Sequence, residues 1–350
     1  MLFRDQIKLA ELARLCRRLA TGLDAGLAAV NVWRREADSR GHSHKTRRHL
    51  DTLATGVAEG ASLEECFQET GDYFPALFRG LVIVGEQTGQ LPEVLFRLAD
   101  HYDYQLTLRK NFLSSIAWPA LQFGAAIVVV GLLIFIMGII AGMTNSAGID
   151  VIGFGLMGFR GAVIYFTFWG VVLVGGWLTF EAARAQLTGT HFLHRLVLKI
   201  PVLGHAVRTL VLSRMAWSMN LTLDTGMPLK DAIPLCLSAT GNMVYIGQAD
   251  QIVENVLEGD PLSVALDEAG GYPRDFLDTL EVGEHSGRIP ESMGKLSEQY
   301  QEKARRAMAT LTMVAGFVVW AMVAVLLAFL IIRIAMKAYI GPMYDILNEM

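Results

Sequence analysis

Charge is scarce in this 350-residue chain, in which Asp, Glu, Lys and Arg make up 18% against 53% hydrophobic residues. That balance is too apolar for a single water-soluble protein of this length. The shortage is local: no charged side chain occurs from Asn111 to Ile149, from Gly161 to Phe180 or from Ala307 to Ile332. About 20 apolar residues cross roughly 30 Å of hydrocarbon, so these gaps predict transmembrane helices at 116–141, 160–182 and 311–334. Cysteine is scarce too. Cys16, Cys66 and Cys236 are isolated, which excludes a disulfide framework. No P-loop, dinucleotide-binding glycine pattern, His-Glu-x-x-His or Ser/His/Asp arrangement can be placed, so no catalytic, cofactor-binding or metal-ligating residue is assigned. The net charge of −4 gives no basis for a nucleic-acid partner. Met1-Leu2-Phe3-Arg4-Asp5 opens without an apolar core, and the expectation is that no leader is cleaved and the first span directs insertion.

What charge there is divides sharply. Fifteen of the 30 Lys and Arg residues lie in 1–112 and twelve in 183–310, with none between Gly142 and Gly158. The positive-inside rule then places both large polar segments in the cytoplasm, with the 142–158 loop and the 335–350 tail across the membrane. Both polar segments show helical periodicity and no run of strand alternation. In the first, Leu9, Leu12, Ala13, Cys16, Leu19, Ala20 and Leu23 line one helix face; in the second, Leu210, Leu212, Met215, Met219 and Leu223 form a less regular stripe. The expected fold is therefore an all-α integral membrane protein with cytoplasmic helical bundles at 1–112 and 185–308 and three transmembrane helices.

The bundles are copies. Gly85-Glu86-Gln87-Thr88-Gly89-Gln90-Leu91-Pro92-Glu93 returns 198 residues later as Gly283-Glu284-His285-Ser286-Gly287-Arg288-Ile289-Pro290-Glu291. Leu23-Asp24-Ala25-Gly26 meets Leu223-Asp224-Thr225-Gly226, and Phe78 meets Phe276. Gly89 and Gly287 fall where a helix needs a left-handed residue, and Pro92 and Pro290 where the next helix begins, so each copy spells helix, tight turn, helix. Ser62-Leu63-Glu64-Glu65 has capping-box spacing and Asp260-Pro261 reads as a cap followed by a first-turn proline. Helix physics leaves Glu86 and Glu284 over. A carboxylate in the last turn of a helix faces the negative end of the macrodipole, so both require a partner: the amides of the following helix, a basic side chain, an ion or another protein.

Three other patterns stand out in the sequence. Asp224-Thr225-Gly226 matches the aspartic-protease triplet, with Asp24-Ala25-Gly26 as its other half, but those enzymes hold paired aspartates in β-structure; here both read as helix ends. The run from Ser39 to His49, with His42, His44 and His49, has no apolar face and contains no acidic or Cys residue, and reads as a solvated or phospholipid-facing basic loop rather than a metal site. Gly138-Ile139-Ile140-Ala141-Gly142, Gly170, Gly175 and Gly176 permit close helix contact.

The repeated turn, the run Lys199-Ile200-Pro201-Val202-Leu203-Gly204, the Leu223–Leu229 turn and Trp118-Pro119 carry a resemblance over nearly the whole chain. The chain resembles the type II secretion system F family, the inner-membrane platform proteins of type II secretion and type IV pilus machines. That resemblance implies a non-enzymatic, multi-pass scaffold in the cell inner membrane. It would couple a cytoplasmic assembly ATPase to the addition of pilin-like subunits, touching other inner-membrane platform proteins, membrane lipids and further copies of itself. The turn residues Gly85, Glu86, Gly89, Pro92, Gly283, Glu284, Gly287 and Pro290 would shape contact surfaces. A rival class is a small polytopic transporter or channel with regulatory cytoplasmic domains; the absence of Asp, Glu, Lys, Arg and His from the spans away from their ends counts against it.

Overall fold

A computed structural model of the chain describes residues 6–144, 158–184 and 201–336. Most of the expected 142–158 loop, residues 185–200 including Lys199-Ile200, and nearly all of the 335–350 tail lie outside the described residues. Among the described residues every regular element is a helix. They group into two compact units, one of residues 1–110 and 185–308, the other of 111–184 and 309–350.

The first unit holds both copies. In the first copy α1 (Leu9–Asp24), α2 (Ala29–Ala37), α3 (His44–Ala58), α4 (Leu63–Glu69) and α5 (Ala76–Thr88) precede α6 (Leu91–Thr144). In the second, α8 (Pro201–Asp224), α9 (Leu229–Thr240), α10 (Met243–Ile246), α11 (Ala249–Glu258), α12 (Leu262–Ala269) and α13 (Arg274–His285) precede α14 (Ile289–Ala335). Burial follows the duplication. Leu12, Leu15 and Leu19 of α1 are buried like Leu212, Met215 and Met219 of α8, at an offset of 200 residues. Leu95, Leu98 and Tyr102 of α6 are buried like Met293, Leu296 and Tyr300 of α14, at an offset of 198.

The two copies nevertheless differ in one respect. On α1 the buried residues keep to one stripe, with Leu9 and Leu23 half-buried at its ends. On α8, Ser218, Leu221 and Thr222 are buried as well, where their counterparts Arg18, Thr21 and Gly22 on α1 are not. A helix buried all round packs on more than one side, and α8 does: Leu221 belongs to the first copy's core, with Trp217 and Ala239 packed against it. The irregular stripe in the sequence is the signature of a helix shared by two cores.

The helix boundaries follow from local chemistry. Ser62 accepts from the Glu65 amide while Glu65 reaches back to the Ser62 amide, the expected capping box at α4. At α12 the expectation shifts by one residue: Pro261, not Asp260, stands at the cap and offers no side-chain acceptor. α5 ends on Gly89 at φ 72° and α13 is followed by Gly287 at φ 67°, the left-handed conformation that glycine adopts without a Cβ penalty. Pro92 and Pro290 are the second residues of α6 and α14, where the missing N–H has no intrahelical partner to lose.

The second unit is built from the later parts of α6 and α14 with α7 (Gly158–Arg184). All three helices are long and apolar enough to cross a membrane. Their outward faces carry Trp118, Phe168 and Val325 at 66, 60 and 70% exposure, a surface suited to lipid and not to water. Inside, Val130, Ile134, Ala162 and Leu330 form a small core. A Cβ on Gly138 would fall on the backbone of Gly158, so this glycine makes the close contact read from the sequence. Gly170, Gly175 and Gly176 differ: a Cβ on any of them meets nothing within 4 Å. Pro119 lies within unbroken α6 and not at a helix start.

Candidate functional site

In each copy the repeated turn folds the last helix of the bundle, α6 or α14, back on the one before it. The first glycine of the motif is needed for closeness. Gly85 and Gly283 are buried helical residues; a Cβ on Gly85 would meet the Leu91 Cα at 3.1 Å, and one on Gly283 the Ser292 Cβ at 2.9 Å. The second glycine supplies the left-handed turn, and the proline lies in the first turn of the next helix.

The two glutamates that helix physics left over find the same kind of partner in both copies. Glu86 accepts from the Leu63 N–H at 3.0 Å. Glu284 accepts from the Leu262 N–H at 2.5 Å and the Ser263 N–H at 2.9 Å, and from the Ser263 hydroxyl. The sequence left open the amides of the following helix, a basic side chain, an ion or another protein; the acceptors instead meet amides of the earlier helices α4 and α12. A carboxylate badly placed for its own helix is well placed for another helix's N-terminus, where free amides and the positive end of the dipole favour an anion. The copies differ in dependence: α4 has Ser62 and Glu65 as local caps, whereas α12 has Pro261 and takes its acceptor from Glu284.

Both turns feed a seam between the copies within the first unit. A Cβ at Gly80 of α5 would meet the Leu235 Cδ1 of α9 at 2.6 Å, so any larger residue there would have to displace the Leu235 side-chain tip. His101 of α6 stacks on Trp217 of α8 with ring centroids 3.6 Å apart. Burial, assisted by the nearby Arg214 charge, pushes the His101 imidazole down to about 3, so it stacks as a neutral ring. Tyr104 donates to the Gln301 carbonyl of α14 at 2.8 Å, and Arg97 reaches Asp224 at 2.6 Å. Asp224 thus ends α8 and pairs with arginine, as a helix end and not as a protease carboxylate.

The histidine-rich run is not the fully solvated loop expected. His44 is exposed, but His42 is buried, with Nδ1 3.2 Å from Glu11 and Nε2 2.9 Å from Glu36. Arg18 reaches Glu36 at 2.7 Å, and the Ser43 amide donates to Glu11 at 2.7 Å. Both glutamates are distant in sequence or on another helix, which is why the run read as unpartnered. Among the described residues no group of three or more His, Cys, Asp or Glu is arranged so that it could hold a metal ion. Burial pushes the Glu11 carboxyl up, but the bonds from Ser43, Thr46 and His42 outweigh it and hold the group below its ordinary 4.5. A carboxyl depressed on folding contributes stability above its unfolded value and loses it as pH falls toward the folded value. We expect thermal melting of the full chain in detergent to drop as pH is lowered from 4.5, and Glu11→Gln to flatten that drop while lowering the melting temperature at pH 7; an unchanged pH profile would contradict the assignment.

Known proteins share this sequence pattern over most of its length. The family Type II secretion system (T2SS), protein F matches the chain twice, at residues 15–139 and 217–336, once per copy. The chain is 26% identical over 340 residues to the type IV pilus assembly protein PilC of Pseudomonas aeruginosa, covering 95% of this chain and 90% of that protein. It is 27% identical over 308 residues to the type II secretion system protein F of Aeromonas hydrophila, covering 85% and 78% respectively. To the type II secretion system protein F of Vibrio cholerae it is 26% identical over 362 aligned positions, covering 99% and 85%. This is a family of secretion and pilus platform proteins and not a known enzyme family. With both copies matched over more than half of its length, the chain belongs to the type II secretion system protein F family.

Proposed function

We propose that the chain is the non-enzymatic inner-membrane platform of a type II secretion or type IV pilus-like machine, with both bundles cytoplasmic. It couples an assembly ATPase to the addition of pilin-like subunits, in company with other platform proteins and further copies of itself. The observation that supports this reading most is that the two copies share one body, and that the last helix of each, α6 and α14, continues without interruption into an apolar span. A displacement imposed on such a body has a covalent, hydrogen-bonded path into the bilayer. The repeated turns stand where each such helix begins, so their surfaces are the places where a push would be received.

The experiment is co-purification of the full chain from host membranes with the assembly ATPase and pilin-like subunits, alongside deletion of the gene. Recovery of both partners and loss of pili or secretion is expected; no partner and unchanged output would refute the platform role. The shared body gives a sharper expectation. Arg97→Ala breaks a pair whose side chains are 37 and 47% exposed, and such pairs contribute about 0–1 kcal/mol. Leu221→Asp places a charge in the joint core and is expected to cost about 3 kcal/mol or more. Output should survive the first substitution and fail with the second, while the protein still inserts; survival of both would show that the copies act separately.

A further inference from the structure

The segment made of α2, the turn after it and the start of α3 presents a run of unpaired positive charge. Arg34, Arg35, Arg40, Arg47 and Arg48 are all exposed, and none enters an ion pair among the described residues. From Ala29 to Leu50 the acidic residues are Glu36, which is buried against His42 and Arg18, and exposed Asp38. α3 carries no acid in its first turn, so Arg47 and Arg48 add to the positive end of its dipole instead of offsetting it. The surface is held rigidly from beneath, because Glu11, Glu36 and His42 tie α1, α2 and the start of α3 together.

The chemistry of the surface selects its partner. Arginine's planar fork matches phosphate oxygens. Protein interfaces centre on several buried apolar or aromatic anchors, yet among the described residues from Leu27 to Lys110 the only large apolar side chain exposed is Leu27, at 44%, beside Arg34 and Arg35. A layer of anionic headgroups needs no such anchor, since basic residues near it act additively through charge. The chain is a membrane protein, so this unit is tethered to a bilayer through α6 and α14.

We propose that Arg34, Arg35, Arg40, Arg47 and Arg48 form a binding surface for the phosphate groups of anionic phospholipids. This goes beyond the reading above by giving a site to the membrane lipids that the family resemblance implies as partners. It depends on the membrane location and not on which machine is served.

The full chain is purified in mixed micelles of phosphatidylglycerol and phosphatidylcholine, and the lipids it retains are counted by native mass spectrometry. The wild type is compared with the fourfold variant Arg34→Gln, Arg35→Gln, Arg47→Gln, Arg48→Gln and with the corresponding fourfold Lys variant. At about fivefold per arginine, the Gln variant should lose its preference for phosphatidylglycerol by at least about tenfold and the Lys variant should keep most of it, with melting unchanged because the four side chains are exposed. Equal phosphatidylglycerol retention by wild type and Gln variant would overturn the proposal. So would displacement of the lipid by millimolar inorganic phosphate, which would assign the surface to a soluble phosphate. Arginine-dependent binding of polyglutamate without arginine-dependent lipid retention would assign it to an acidic protein and equally overturn it. No ATPase or pilin-like subunit is present in the assay, so its failure leaves the platform reading standing.

Discussion

Glu284→Ala should lower the melting temperature of the full chain far more than Glu86→Ala, although the two residues occupy the same position of the repeated turn. Glu284 accepts two amides and a hydroxyl at the start of α12, whose own cap, Pro261, has no acceptor. Its removal leaves Leu262 and Ser263 amides without a partner on a half-buried surface. Hydrogen bonds to charged groups contribute roughly 1.5–3 kcal/mol each and are not additive, so about 2–4 kcal/mol is expected. Glu86 is exposed and accepts one amide, at a helix that already has Ser62 and Glu65; about 1 kcal/mol is expected there. For a unit of this size the shifts are about 5–10 °C and 2–4 °C, measured at one fixed scan rate because membrane proteins unfold irreversibly. Glu284→Gln keeps one acceptor and should fall between. Equal shifts for the two alanine variants would remove the capping account and return both glutamates to a role in contacting something outside the chain.

The second large effect is expected within the spans. Gly138→Ala puts a methyl group onto the backbone of Gly158, at the start of α7. Backbone cannot rotate aside as a side-chain tip can, and Gly158 is itself held at φ 66°. In hydrocarbon there is no hydrophobic drive to bring α6 and α7 back together, and close packing is what joins them. A cost of about 3 kcal/mol, the upper part of the overpacking range, should appear as loss of folded protein in the membrane, measured by protease resistance and by the fraction recovered as a single species from detergent. Gly170→Ala and Gly175→Ala, with open space at the added methyl, should leave both measures unchanged. A loss at Gly175 equal to that at Gly138 would show that the open face is an interface and that Gly138 has no special place.

These two cases mark where reading the sequence succeeds and stops. Gly89, Gly287, Pro92 and Pro290 were legible because the conformations they permit are local: left-handed φ and a free first-turn amide position belong to a few consecutive residues. The three spans were legible because hydrocarbon forbids charge over a fixed length. The duplication was legible because both copies preserve the same spacing, and the buried pairs Phe78 with Phe276 and Leu98 with Leu296 confirm it. The partner of Glu86 and Glu284 was visible only as an unmet need. That it is the N-terminus of α4 or α12, more than 20 residues earlier, is a fact of how three helices meet. His42 shows the same limit: its neighbours Glu11 and Glu36 come from α1 and α2, and in sequence the run around it carries no hint of burial.

By itself, then, the sequence determined an all-helical membrane protein with two copies of one bundle, and it determined the turns that close each copy, because helix ends and bilayer crossings are short-range constraints. Tertiary structure decided that the copies share a core through Leu221 and Trp217, that the glutamates cap the helices before them and not those after, and that Gly138 and not Gly175 makes the close contact in the second unit. Each of these depends on which faces meet across tens or hundreds of residues, and a buried surface or a free amide looks the same in sequence whatever comes to cover it.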